Sequence, residues 1–462
     1  MKNNITLLNS HFTWVILLAN IVGSYDSFAE QLPVSFNKAI QIAQHNDPWL
    51  VGSRFRQKSL LHLGDASSTQ PDPKVSIAFA NLPTDGFDFS QEGMTQFKVG
   101  VSQVFARGDS LHIKNQQYKL KSQQQPIQRK DRQNKVVVTV GRLWLDLYRA
   151  QQSIILIEKN RNLFEQLAEL AEASYSNALG KTRQQDVVRA QLELTRLEDK
   201  LSQLHQQSER YQGMLGRWLT SFSLNSQSQQ DRNTIATVTL PLYVSRQAPD
   251  IELSHHAKAF NEKWLSEEKL VALLSLHPSV KNIDKKIAVT KTGVELAEQK
   301  YQPQWGVNAS YGYRSDDAMD NSRADLFSVG VTFDVPLFTE NRQDNEVKSA
   351  ISQTEIIKTE KLLLLRKLMA DFTSSKGQFV RLSQRQTLYQ EKLLPQIHDQ
   401  AEASLTAYTN DDGSFSDVVR ARIVELNAEI DFLSINVEKQ KIILAINYLF
   451  IGAAVNQQVG DK

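Results

Sequence analysis

The chain has 462 residues, with 53 lysines and arginines against 51 aspartates and glutamates, a formal net charge of +2 and no cysteine. So even a balance provides no basic field to hold nucleic acid. Without thiols there is no disulfide, no thiolate metal site, no cysteine nucleophile and no lipidated N-terminal cysteine.

At the start, Lys2, the mostly apolar run Trp14 to Gly23 and the small residues of Ser27-Phe28-Ala29 predict a cleaved signal peptide over residues 1–29, with the mature chain starting at Glu30. The apolar run is well short of the ~18 residues a spanning helix needs. The nearest later candidate, Ile442 to Val455, is interrupted by Asn447 and Tyr448 and reads as a packed helix. A secreted chain of this kind either stays in the periplasm or enters a membrane as strands.

The rest is written twice. Shifted by 230 residues, Pro48 meets Pro278, Pro73 meets Pro303, and Val99-Gly100-Val101 meets Val329-Gly330-Val331. Asp186-Val187-Val188-Arg189-Ala190 recurs as Asp417-Val418-Val419-Arg420-Ala421. We divide the chain into a first repeat over 30–212, a linker over 213–268, a second repeat over 269–455 and a tail over 456–462. The linker, polar over Ser221 to Thr234 and marked by Pro241 and Pro249, is expected to pack around the outside of the helices.

Each repeat holds two alternating segments, at about 75–81 and 97–105 and at about 305–314 and 326–337. In the second repeat Trp305, Val307, Ala309, Tyr311 and Tyr313 oppose Gly306, Asn308, Ser310, Gly312 and Arg314. Its partner sets Phe327, Val329, Val331, Phe333 and Val335 against Ser328, Gly330, Thr332 and Asp334. The first repeat sets Val75, Ile77, Phe79, Phe97, Val99 and Val101 against Lys98, Gly100 and Ser102. An apolar face backed by Gly, Ser and Asn, over roughly nine to eleven residues, is the pattern of strands that cross a bilayer, with a soluble β-sandwich as the alternative. Asn81 to Gln96 and Ser315 to Asp325 suit exposed loops. Four strands are too few to close a barrel, and open edges in lipid leave unpaired backbone groups, so several chains must share one sheet.

From Ser110 to about Ser208 the chain reads as helix, with a strong break only at Pro126 and softer marks at Gly141 and Gly180. Asn341 to Ile451 mirrors it, with breaks expected at Gly377, Pro395 and Gly413. Narrow apolar stripes such as Leu163, Leu167, Leu170 and Tyr175, or Ile423, Leu426, Ile430 and Leu433, predict helices that bury one seam, as in coiled coils. There is no phosphate loop, nucleophile elbow or metal-ligand spacing, so we expect no enzyme, no cofactor and no metal site. His255-His256 reads as a solvated pair in the linker, and Arg107-Gly108-Asp109 as the turn leaving a strand.

Three sets of residues carry a resemblance: the run Ala39 to Pro48 before the first strand, the run Val329 to Phe338 in the last, and the turns Tyr175 to Gly180 and Tyr408 to Gly413, each followed by Asp-Val-Val-Arg-Ala. In this order, and duplicated, they make the chain from about Leu32 to Ala454 resemble TolC-family outer-membrane efflux proteins. Residues 70–74, 81–83 and 102–109 look most similar to the CusC/CzcC-like heavy-metal branch, although the lipid-anchored members of that branch use a cysteine that this chain lacks.

The resemblance implies a mixed α and β membrane protein. It would be a homotrimer with a twelve-stranded transmembrane β-barrel, four strands per chain, continuous with a long periplasmic α-helical barrel. It also implies a place in the outer membrane and two partners, a periplasmic adaptor and an inner-membrane pump of the resistance-nodulation-division type. The function would be that of a passive gated exit duct for small molecules or metal ions. Alternatives are a type I protein-secretion channel or, in another class, a non-conducting periplasmic coiled-coil scaffold. By motif, Asp417 falls at the family's gate ring of aspartates and Asp186 and Tyr408 at its polar network. Arg420 stands where a second acidic residue would deepen the ring, and Gly413 replaces a basic network residue. Asp186 and Asp417 read equally well as helix caps. Val99, Val101, Val307, Tyr311, Val329, Val331 and Phe333 are expected to face lipid.

Overall fold

The structure, a computed structural model, describes residues 33–176, 183–220, 242–262, 266–317, 319, 321–410 and 412–453. The expected signal peptide, the turn up to Gly180, the polar stretch Ser221 to Thr234 and the tail lie outside these residues.

Local capping chemistry sets the first helices. Ser35 Oγ accepts the Lys38 N–H at 3.4 Å to open α1 (Phe36–His45). Asp47 Oδ1 accepts the Trp49 N–H at 3.0 Å to open α2 (Pro48–Ser67), whose leading proline has no N–H left to satisfy. Strands β1 (Lys74–Ala80) and β2 (Gln96–Val104) follow, then α3 (Ser110–Ser176) and α4 (Gln184–Leu219). After two short helices, α5 (His255–Glu262) and α6 (Glu267–Leu274), the succession returns as α7 (Pro278–Glu298), β3 (Trp305–Tyr313), β4 (Leu326–Phe333), α8 (Gln343–Leu388), α9 (Leu394–Thr409) and α10 (Phe415–Leu449).

Several expected breaks are not breaks. The 67-residue α3, about 100 Å long at 1.5 Å per residue, continues through Pro126 and Gly141. Pro126 itself is exposed, and its missing N–H leaves the carbonyl of Ser122, one turn back, without a helical donor while the packing on either side keeps the helix whole. At Gly141 a Cβ would come 2.7 Å from Leu444 Cδ1, so glycine lets α10 approach α3. Helix α8 runs through Gly377, and the expected break at Pro395 becomes a π-helical turn over Tyr389–Leu393. That wider turn brings Pro395 to the first turn of α9, where no N–H is needed. Gly413 does separate α9 from α10, and a Cβ there would lie 2.9 Å from the Tyr408 nitrogen.

Two element ends differ from expectation. Helix α4 passes Gly213 and ends at Leu219, so composition changes before the helix does. Strand β4 stops at Phe333 because Asp334 turns to accept the Gln304 N–H at 2.6 Å and Pro336, which follows, cannot extend a ladder.

Long α3 is the spine. One half packs between α2 and α7, and the other between α4 and α10. The largest core lies at its middle, where Val140, Trp144, Leu145 and Leu147 meet α1, the end of α4, and Val244, which bridges to Val34. The four strands form one antiparallel sheet in sequence order.

Candidate functional site

The sheet's register aligns the alternation of all four strands. Val101 lies opposite both Val75 and Ala309, Val99 opposite Ile77 and Tyr311, and Val307 opposite Val331. Ala309 meets Val329, and Trp305 meets Phe333. Directly opposed residues share a face, so the seven residues expected to face lipid lie together on one apolar face, and all seven are exposed within the chain. The other face carries the rows Ser76-Gly100-Ser310-Ser328 and Ser102-Asn308-Gly330. Glycine lets polar neighbours lie flat across it: a Cβ at Gly100 would sit 2.8 Å from Ser76 Oγ, and one at Gly330 2.8 Å from Asn308 Oδ1. Within the chain β1 and β4 have a ladder partner on one side only.

Arginines fasten both ends of the sheet. Where it meets the helices, Arg107 pairs with Asp334 and donates from Nη1 to the Gln302 carbonyl at 3.0 Å. Gly108 turns the chain at φ 42°, and the Asp109 N–H donates to Gln299 Oε1 at 2.9 Å. At the far end Arg323 Nη1 donates to the Ser90 and Glu92 carbonyls at 3.3 and 3.2 Å, and Arg314 Nη1 to the Gly93 carbonyl at 3.2 Å, tying the two long loops together.

At the opposite end of the molecule, Leu167 and Ala171 of α3, Ala190 of α4, and Phe415, Val418 and Val419 of α10 form one small core, with Tyr408 against it. This brings the four gate candidates to one tip. Asp186 is the third residue of α4, and its Oδ2 accepts the Arg183 N–H at 3.1 Å. Asp417 is the third residue of α10; its Oδ2 accepts from Ser414 Oγ at 3.1 Å and its Oδ1 lies 3.6 Å from Arg420 Nη1. Both carboxylates sit in a first helical turn, where negative charge is favoured. Tyr408 meets Phe415 edge to face at 5.7 Å, and its hydroxyl makes no hydrogen bond among the described residues.

Above the tip is a cluster that the sequence did not reveal. Nearly buried Arg422 donates to Glu402 at 2.6 Å and to Glu425 at 2.8 Å. Glu425 also holds His398 Nδ1 at 2.6 Å, and this contact raises the imidazole above its ordinary range. The partners lie on two helices joined by a turn, so only the helical register brings them together. His255 and His256 are on α5 within the linker span, with their rings 5.7 Å apart. His255 is exposed as expected, but His256 is half-buried and its Nε2 is buried without a partner among the described residues, among which no group of three metal-binding side chains occurs.

No family model and no curated protein sequence matches the chain. Solved structures do. CusC superposes with a TM-score of 0.72 at 11% identity, over 91% of this chain and 92% of that one. The Campylobacter jejuni CmeC outer membrane channel gives 0.69 at 14%, over 92% and 89%. The Neisseria gonorrhoeae MtrE outer membrane channel, in its open state, gives 0.68 at 12%, over 90% and 88%. The chain has the TolC-type channel fold. The likeness spans both repeats, so this fold accounts for the small open sheet and the ~100 Å helices together. At such identities the architecture is shared and the individual side chains are not.

Proposed function

We propose that the chain is the outer-membrane channel of a tripartite efflux system, a passive gated duct for small molecules or metal ions driven by an inner-membrane pump. The observation that carries this reading is the sheet: four strands present one continuous apolar face, a polar opposite face and two open edges. In water such a face would attract a covering layer. In a bilayer it is the outer wall, and the open edges pair with those of neighbouring copies, three of which supply twelve strands. The helices then extend into the periplasm, where a periplasmic adaptor and a pump of the resistance-nodulation-division type complete the path. The fold shared with CusC, CmeC and MtrE supports this placement.

The experiment is fractionation followed by recording. The protein should resist carbonate extraction, require detergent, and give discrete conductance steps in planar bilayers. Release by carbonate would mark a peripheral scaffold instead.

At the tip, three copies of Asp417 would surround the opening and draw cations, and each also caps its helix. Asp417→Ala should therefore weaken block of single pores by divalent cations severalfold, while lowering helix stability by about 1 kcal/mol or less. Unchanged block would leave Asp417 with the capping role alone.

A further inference from the structure

The two repeats cap their proline-led helices with different chemistry. Asp47 precedes Pro48 and His277 precedes Pro278, and each side chain accepts the N–H two residues on, Trp49 to Asp47 Oδ1 at 3.0 Å and Ser279 to His277 Nδ1 at 3.2 Å. Each cap sits where one helix ends against the start of another. Asn46 Nδ2 donates to the carbonyl of Leu219, the last residue of α4, at 3.1 Å. In the second repeat Gly452, just past α10, lies so close to Leu276 and His277 that a Cβ would be 2.9 Å from the His277 nitrogen and would overlap the Leu276 carbonyl.

The first cap is a buried carboxylate held by Arg132 Nε at 2.7 Å. The second is a fully buried imidazole. A backbone N–H can only donate, so Nδ1 must offer a lone pair, and Ser279 Oγ stands 2.8 Å from the same atom. The ring proton is then on Nε2, which is buried and makes no hydrogen bond of ordinary geometry, with the Tyr448 backbone the polar group acting on the ring there. The charges acting on the ring are Asp131 and Lys135, both on α3. Asp131 is already engaged, by Lys135 at 2.7 Å, by the Tyr448 hydroxyl of α10 at 2.7 Å and by Ser279 Oγ at 3.4 Å. Tyr448 also meets the imidazole edge to face at 4.8 Å, and Leu274 of α6 and Leu368 and Phe372 of α8 build the core alongside.

We infer that His277 is an acid-released cap: a proton gained at Nδ1 displaces the Ser279 N–H and frees the start of α7 from the end of α10, while Asp47, held by Arg132 of α3, still caps α2. The junction in one repeat thus responds to acid and its twin does not, whether or not the chain conducts. Burial holds the imidazole below its ordinary range, with Asp131 and then the Tyr448 backbone opposing and Lys135 adding to the effect. The sign follows. The unfolded chain binds the proton more readily, so the stabilisation is whole above the unfolded value of about 6.5 and is lost as pH falls through and below it.

Hydrogen exchange on the full-length protein at about pH 7.5 and about pH 5, on either side of the free imidazole value and corrected for intrinsic rates, tests this. Opening at residues 279–282 should rise about fivefold on acidification, the factor for a lost N-cap, while residues 49–52 stay level. His277→Asn keeps an acceptor that does not titrate, and should hold protection level at both pH values. His277→Asp should behave like the first repeat. Equal acid responses at both caps, or an acid response that survives in His277→Asn, would overturn the inference.

Discussion

Val329→Arg should abolish assembly into the membrane, whereas Ser328→Arg, its neighbour, should insert and shift the pore toward anions. Val329 lies at the middle of β4 on the apolar face, opposite Ala309, and Ser328 lies on the polar face opposite Ser310. A charged side chain on the lipid face of a barrel costs about 2–4 kcal/mol near the midplane, and a shared barrel carries the change once in every copy. On the polar face the same guanidinium remains in water and acts only on passing ions. Heat-modifiable mobility of the membrane fraction reports insertion, and reversal potentials in a salt gradient report selectivity. If the two variants behave alike, the two faces have been assigned wrongly, because a one-residue change of register exchanges every side chain between them.

Trp144→Ala should be the most destabilising single change away from the sheet. Trp144 is fully buried at the middle of α3, meets Phe36 edge to face at 5.6 Å and stacks on Tyr148 at 5.5 Å. Its Nε1 donates to the Val34 carbonyl at 2.9 Å, beside the bridge that joins Val34 to Val244. Truncation removes the packing and one of the two donors to that carbonyl, which keeps only the Ser245 N–H at 3.3 Å, for a loss of about 3–5 kcal/mol. Trp144→Phe keeps most of the ring contact and should lose less than half as much. Urea midpoints of the detergent-solubilised protein rank the three forms, and a midpoint for Trp144→Ala within error of the parent would show that this core does not hold α1 to α3.

The architecture was legible because its periodicities are long and occur twice. The period of two from Trp305 to Tyr313, repeated in Phe327 to Phe333, suffices to place side chains on faces, and the register bears that geometry out. Helix interruptions were less legible. Pro126 and Gly377 look alike as breakers, but whether a breaker ends a helix depends on what surrounds it, and both lie on exposed faces of long, well-packed helices. Pro395 shows the same from the other side, since a π turn absorbs it. At the tip, the motif placed Asp186 and Asp417 in equivalent positions, and the structure gives each a cap-type contact. The Arg422, Glu402, Glu425 and His398 cluster was not legible, because it depends on how α9 meets α10. The His277 cap has a local spacing that matches Asp47, but its burial against the end of α10 is recorded by no spacing within one segment.

With two open edges, one chain cannot complete its own sheet in lipid. Native mass spectrometry of the protein extracted in mild detergent counts the chains that share the sheet. A complex of three chains that resists dilution and dissociates only on unfolding is expected; a folded, stable single chain in the detergent micelle would mean that the sheet closes without neighbours.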